Sequence, residues 1–139
     1  MEINPIGIIH SPYKNKSDAP FQGRMNNVET VLEIYPEYVD GLLSIEERKH
    51  IIVLYWQHLS KRDILRHVTP WGPELRGVFS TRTPNRPNPI AFCVADLMKV
   101  DGNKLYVKGV DALDGSYLID VKPYVYELDS IKGPDDILL

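Results

Sequence analysis

The stretch "IAFCVADLMKVDGNKLYVKGV", Ile90 to Val110, decides the fold class. Two runs rich in β-branched and aromatic residues, "IAFCVADLMKV" and "NKLYVKGV", flank the turn signal Asp101-Gly102 and together predict a β-hairpin. The same texture recurs on either side. "PIGIIHS" (Pro5 to Ser11), "ETVLEIY" (Glu29 to Tyr35) and "SYLIDVKPYV" after Asp114-Gly115 are short extended pieces near turn formers. "HIIVLYWQHL" (His50 to Leu59) is apolar on both parities, as in a strand covered on both faces, although periodicity alone leaves a buried helix open. Tyr55, Trp56 and Phe79 lie in apolar runs and are expected in the core. The helix signal is "SIEERKH", where Ser44 precedes Glu47 at capping-box spacing and the last turn is basic. The expected fold is therefore mainly β, a sheet or barrel with one or two short helices. Ser11 to Asn27 and Ser60 to Glu74 are expected to be long ordered loops, the second containing Pro70-Trp71-Gly72-Pro73.

The chain has 139 residues, enough for a single domain over 1–139 that buries its own core. With one cysteine, Cys93, an intrachain disulfide is excluded, and its apolar surroundings predict a small buried side chain. No basic-then-apolar leader opens the sequence, and no apolar run approaches the roughly 18 residues of a membrane span, so a cytoplasmic protein without membrane contact is expected. Net charge is −3 but unevenly spread. Six cations face two anions between Ser60 and Ile90, whereas seven anions face two cations from Asp111 to Leu139. A basic middle suits a polyanion such as RNA, and equally a solvated face balanced by carboxylates.

Several chemistries lack their motifs. No G-x-G and no P-loop occurs, so the usual helix-tip routes to nucleotides are absent. The four histidines lack zinc spacing and no metal is expected, nor does a G-x-S-x-G elbow support acyl transfer. What stands out is "GVFSTRTPNRPNP", Gly77 to Pro89. Pro84, Pro87 and Pro89 each fix φ and bias the preceding residue toward extended geometry, which stiffens the segment. A stiff loop holds Arg82, Arg86 and Asn88 ready for a ligand without an ordering cost at binding. It also leaves carbonyls free to accept hydrogen bonds.

Gly77 to Ile90 resembles the signature of the TrmO family, also called TsaA-like, whose pattern is G-V-F-[AS]-T-R-[ST]-x-x-R-P-N-P-I-G. Three more blocks match in order: "IGIIHSPYKNK" with "PFQ", "HIIVLYWQH", and "DALDGSYLIDVKPYV". The resemblance implies a compact non-Rossmann β-barrel, usually a homodimer, that uses S-adenosyl-L-methionine to methylate N6 of threonylcarbamoyladenosine beside the tRNA anticodon. It implies cofactor contacts at Pro20, Phe21, Gln22, His58, Leu59, Arg82, Phe92, Asp114, Gly115, Ser116 and Tyr117. The chain departs from the family at Phe21 (usually Arg), Ala91 (usually Gly), Ser116 (usually Thr) and Tyr117 (usually Pro).

Chemistry gives these positions roles. Arg82 is suited to a carboxylate or phosphate, Asp114 to a hydroxyl or amino group, and Phe21, Phe92 or Tyr117 to an adenine ring. The accepting nitrogen must shed a proton, for which His58 and Asp120 are candidate catalytic bases. Lys61, Arg62, Arg66 and Arg86 are candidates for RNA phosphates along the anticodon loop, and Trp71 for base stacking or loop packing. Two alternatives stay open: a noncatalytic module binding the cofactor or RNA, and a methyltransferase with another acceptor.

Overall fold

The computed structural model describes residues 1–17, 27–70 and 72–133. The expected strands form at β1 (Gly7–His10), β2 (Glu29–Ile34), β3 (His50–Trp56), β6 (Ile90–Asp101), β7 (Lys104–Lys108) and β8 (Tyr117–Pro123). They close into an antiparallel barrel in the order β1-β2-β7-β6-β3-β8. Alternation decides which side chains fill it. Ile9, Leu32, Ile51, Val53, Tyr55, Cys93, Ala95, Leu105, Val107 and Leu118 point inward and pack as one buried cluster. In β3 the outward-facing Ile52 is buried too, which explains a run that is apolar on both parities.

The β6–β7 hairpin turns one residue later than the sequence suggests. Asp101 pairs with Lys104, so Gly102 and Asn103 make the turn, with Gly102 at φ +59°. Pairing slips between Leu97 and Lys99 in this hairpin and between Leu54 and Tyr55 where β3 meets β8. Such bulges sharpen the local bend that a six-stranded closure demands.

Elsewhere the structure corrects the sequence reading. Ser44 has φ +71° and makes no side-chain cap, because a left-handed residue cannot adopt the extended geometry of an N-cap. The helix expected after it is one 3-10 turn, Ile45–Glu47, following another at Pro36–Leu42. The α-helical turn lies near the acidic end, α1 (Tyr126–Asp129). The loop expected from Ser60 to Glu74 contains β4 (Arg66–Val68), which pairs with β5 (Leu75–Gly77) as a separate two-stranded ribbon. Val78–Ser80 then forms a 3-10 turn that drives Val78 into the interior and leaves Phe79 79% exposed, so Phe79 is not a core residue. Trp56 is half-buried on the outer face, and of the three aromatics expected in the core Tyr55 alone is fully enclosed.

Candidate functional site

Strand direction gathers the motifs at one end of the barrel. Strands β1, β3 and β7 end there while β2, β6 and β8 begin there, as their antiparallel registers require. The β1–β2 connection, the long β3–β6 connection and the β7–β8 loop all leave this rim. It brings together His58, Leu59, Lys61, Arg62, Arg82, Arg86, Phe92 and Asp114 to Tyr117, which are far apart in sequence. Pro20, Phe21, Gln22 and Trp71 lie outside the described residues.

The proline-rich loop is braced by guanidinium groups as well as by prolines. Arg86 donates from Nη1 to the carbonyls of Thr81 (3.1 Å) and Thr83 (3.0 Å), and from Nη2 to that of Val78 (3.1 Å). Arg62 reaches the loop from the other side, with Nε to the Pro87 carbonyl at 2.7 Å and Nη2 to Asn88 Oδ1 at 3.1 Å, while its guanidinium lies 5.0 Å from the Trp56 ring centroid. Asn85 Oδ1 accepts the Lys61 N–H at 2.9 Å, and the Pro89 carbonyl accepts the Gln57 N–H at 2.9 Å. Two of the three arginines expected to face phosphate, Arg62 and Arg86, are thus engaged in holding the loop. Arg82 makes no such bond: it is exposed, with its guanidinium carbon 5.5 Å from the Phe92 ring centroid.

On the β7–β8 loop, Asp114 Oδ1 accepts the Ser11 N–H at 3.0 Å and Oδ2 accepts Lys14 Nζ at 2.8 Å. The Lys14 hydrogen bond, reinforced by the Ser11 amide, holds the Asp114 carboxyl below the usual carboxylate range. Gly115 has φ +83° and no neighbour where a Cβ would stand, so the backbone here is open to close approach. Ser116 is buried, its Oγ donating to the Leu113 carbonyl at 2.7 Å, which orients the loop rather than exposing the hydroxyl. The exposed Tyr117 ring meets His58 edge-on at 6.3 Å. Asp120 stands three residues further along β8, its Oδ1 accepting the Val121 N–H at 2.9 Å and its Oδ2 pairing with Lys122 at 3.1 Å.

One polar cluster at the rim was not anticipated. Asp111 Oδ1 accepts the Tyr55 hydroxyl at 2.5 Å and the Cys93 thiol at 3.2 Å. Burial, together with the Asp111 charge, pushes both the Tyr55 phenol and the Cys93 thiol well above their ordinary values. Asp111 thereby ties the β7–β8 loop to β3 and β6. Its place in the block "DALDGSYLIDVKPYV", three residues before Asp114, was the one sequence signal for it. Among the described residues no group of three His, Cys, Asp or Glu side chains is arranged to hold a metal ion.

Residues 8–130 match the family model described as the tRNA-methyltransferase O N-terminal domain. An S-adenosyl-L-methionine-binding protein of Archaeoglobus fulgidus is 50% identical over 131 residues, covering 94% of both chains. A probable S-adenosyl-L-methionine-binding protein of Methanothermobacter thermautotrophicus is 48% identical, covering 94% of this chain and 95% of its own length. The crystal structure of TrmO from Pseudomonas aeruginosa superposes with a TM-score of 0.81 at 30% identity over 96% of this chain, which spans 60% of that longer chain.

Proposed function

The chain belongs to the tRNA-methyltransferase O N-terminal domain family, and on that premise we propose that it is an S-adenosylmethionine-dependent methyltransferase acting on N6 of threonylcarbamoyladenosine beside the tRNA anticodon. The observation that carries the reading is the convergence, at one barrel rim, of an uncommitted guanidinium (Arg82), two exposed aromatic rings (Phe92 and Tyr117) and an ionised carboxylate (Asp114).

These residues fit the cofactor's chemistry. Arg82 would hold the methionine carboxylate, Phe92 or Tyr117 would stack on the adenine, and Asp114 would accept from ribose or amino groups, with Gly115 and Leu59 lining the approach. When bound, S-adenosylmethionine supplies a methyl group on a sulfonium. The braced loop presents Arg82 without an ordering cost, and positioning of the acceptor nitrogen opposite the leaving sulfur supplies most of the rate. His58, beside Tyr117 at the rim, is the better placed of the two candidate bases to take the acceptor's proton, since Asp120 is already paired with Lys122. Lys61 and Arg66, and with them Arg62 and Arg86 through the loop they brace, would steer the anticodon stem. A homodimer in the cytoplasm completes the proposal, its stoichiometry to be read by sedimentation.

The test is incubation with labelled cofactor and threonylcarbamoylated tRNA, beside unmodified tRNA and no RNA. Label is expected on the modified tRNA alone, and label on another acceptor overturns the substrate assignment. The names of the archaeal relatives favour a second reading, a protein that binds the cofactor without transferring its methyl group. Binding without transfer would establish that reading instead. Arg82→Ala is expected to weaken cofactor affinity or turnover by roughly tenfold or more; unchanged binding and rate would remove Arg82 from the site.

A further inference from the structure

Phe79 is a large apolar ring exposed to 79%, yet the turn that carries it is held on every side. Val78 is buried and its N–H donates to the Leu65 carbonyl at 2.9 Å. The Val78 carbonyl accepts the Thr81 N–H at 3.2 Å and Arg86 Nη2 at 3.1 Å, and Ser80 Oγ donates to the Gly77 carbonyl at 2.8 Å. The ring is therefore presented by rigid backbone rather than left on a floppy tip. Its surroundings are cationic. Arg66 pairs in register with Gly77 and Arg82 follows Phe79 in the same loop; among the described residues Lys61, Arg66 and Arg82 make no ion pair, while Glu74 is taken by Arg76.

We propose that Phe79 is a stacking platform for an unpaired nucleobase of the RNA substrate, with Arg66, which pairs in register with Gly77, on the phosphate side. The proposal rests on the tRNA methyltransferase reading and adds to it the residue that engages the base. A rigid exposed aromatic beside unpaired cations matches a ligand that carries both a π-face and phosphates. A second copy docking symmetrically on this patch would set the same three unpaired cations against themselves, which disfavours that occupant.

Fluorescence anisotropy with a labelled anticodon stem-loop RNA tests it, alongside calorimetry with S-adenosylmethionine and sedimentation. Phe79→Ala is expected to weaken RNA binding roughly tenfold or more. Phe79→Trp should restore it. Cofactor affinity and the salt slope of RNA binding should stay as in the wild type, since a stacked ring releases no counterions. Equal RNA affinity for wild type and Phe79→Ala overturns the stacking role while leaving the methyltransferase reading intact. A change in oligomeric state that accounts for the lost affinity overturns it in favour of a second copy. Wild-type protein that binds the cofactor but no RNA defeats the underlying reading itself, and the stacking role with it.

Discussion

Asp114 is held by two donors at once, the exposed ammonium of Lys14 and the backbone amide of Ser11. Its depressed folded-state pKa means that the fold favours the ionised carboxylate. The resulting stabilisation is present above the ordinary carboxylate pKa of about 3.9 and is lost as pH falls through the lower folded value. Lys14→Ala should raise the Asp114 pKa toward the ordinary value and move that loss to higher pH, as followed by a carbon-detected NMR titration. An unmoved midpoint would assign the depression to the Ser11 amide instead. Part of this site was legible in the residues: Arg82, Asp114 and Gly115 stand in matched blocks, and the structure sets them on one rim. That Arg62 and Arg86 are engaged by carbonyls was not legible, because the acceptors of Arg62 lie 25 and 26 residues away and no local pattern encodes their approach.

At the level of elements, close pairing makes one glycine indispensable. Gly7 pairs with Ile34 where β1 crosses β2, and a Cβ on it would lie 2.2 Å from the Glu33 carbonyl oxygen. Backbone cannot step aside as a side chain would. Gly7→Ala is expected to cost on the order of 1–3 kcal/mol, read from denaturant unfolding; wild-type stability would show that the strands can part locally. Inside the same β2, Thr30 Oγ1 is buried with no hydrogen-bond partner among the described residues. Thr30→Val keeps the shape and removes the unpaired hydroxyl, so a gain of about 1 kcal/mol is expected from the same measurement. Strands were readable because alternation and turn formers are local signals. The Ser44 cap misled because its spacing was right while its backbone was left-handed, a choice made by the chain's path between two 3-10 turns.

For the whole molecule, the uneven charge governs how a protein with net charge −3 would bind RNA. Removing one phosphate-contacting cation should lower the slope of log affinity against log salt by about 1. Arg66→Ala should therefore flatten that slope and weaken all RNA sequences alike; an unchanged slope would place Arg66 away from phosphate. The amino-acid order alone determined that strands would dominate and where six of them run, and it marked the motif blocks that the structure then gathers, because alternation, turn residues and motif spacing act over a few residues. Tertiary structure alone decided that the barrel closes with those blocks on a single rim, that Asp111 bolts their loop to Tyr55 and Cys93, and that Phe79 faces water. Those outcomes depend on contacts between residues distant in sequence, set by strand direction and by the turn that sends Val78 inward, and no short stretch contains them.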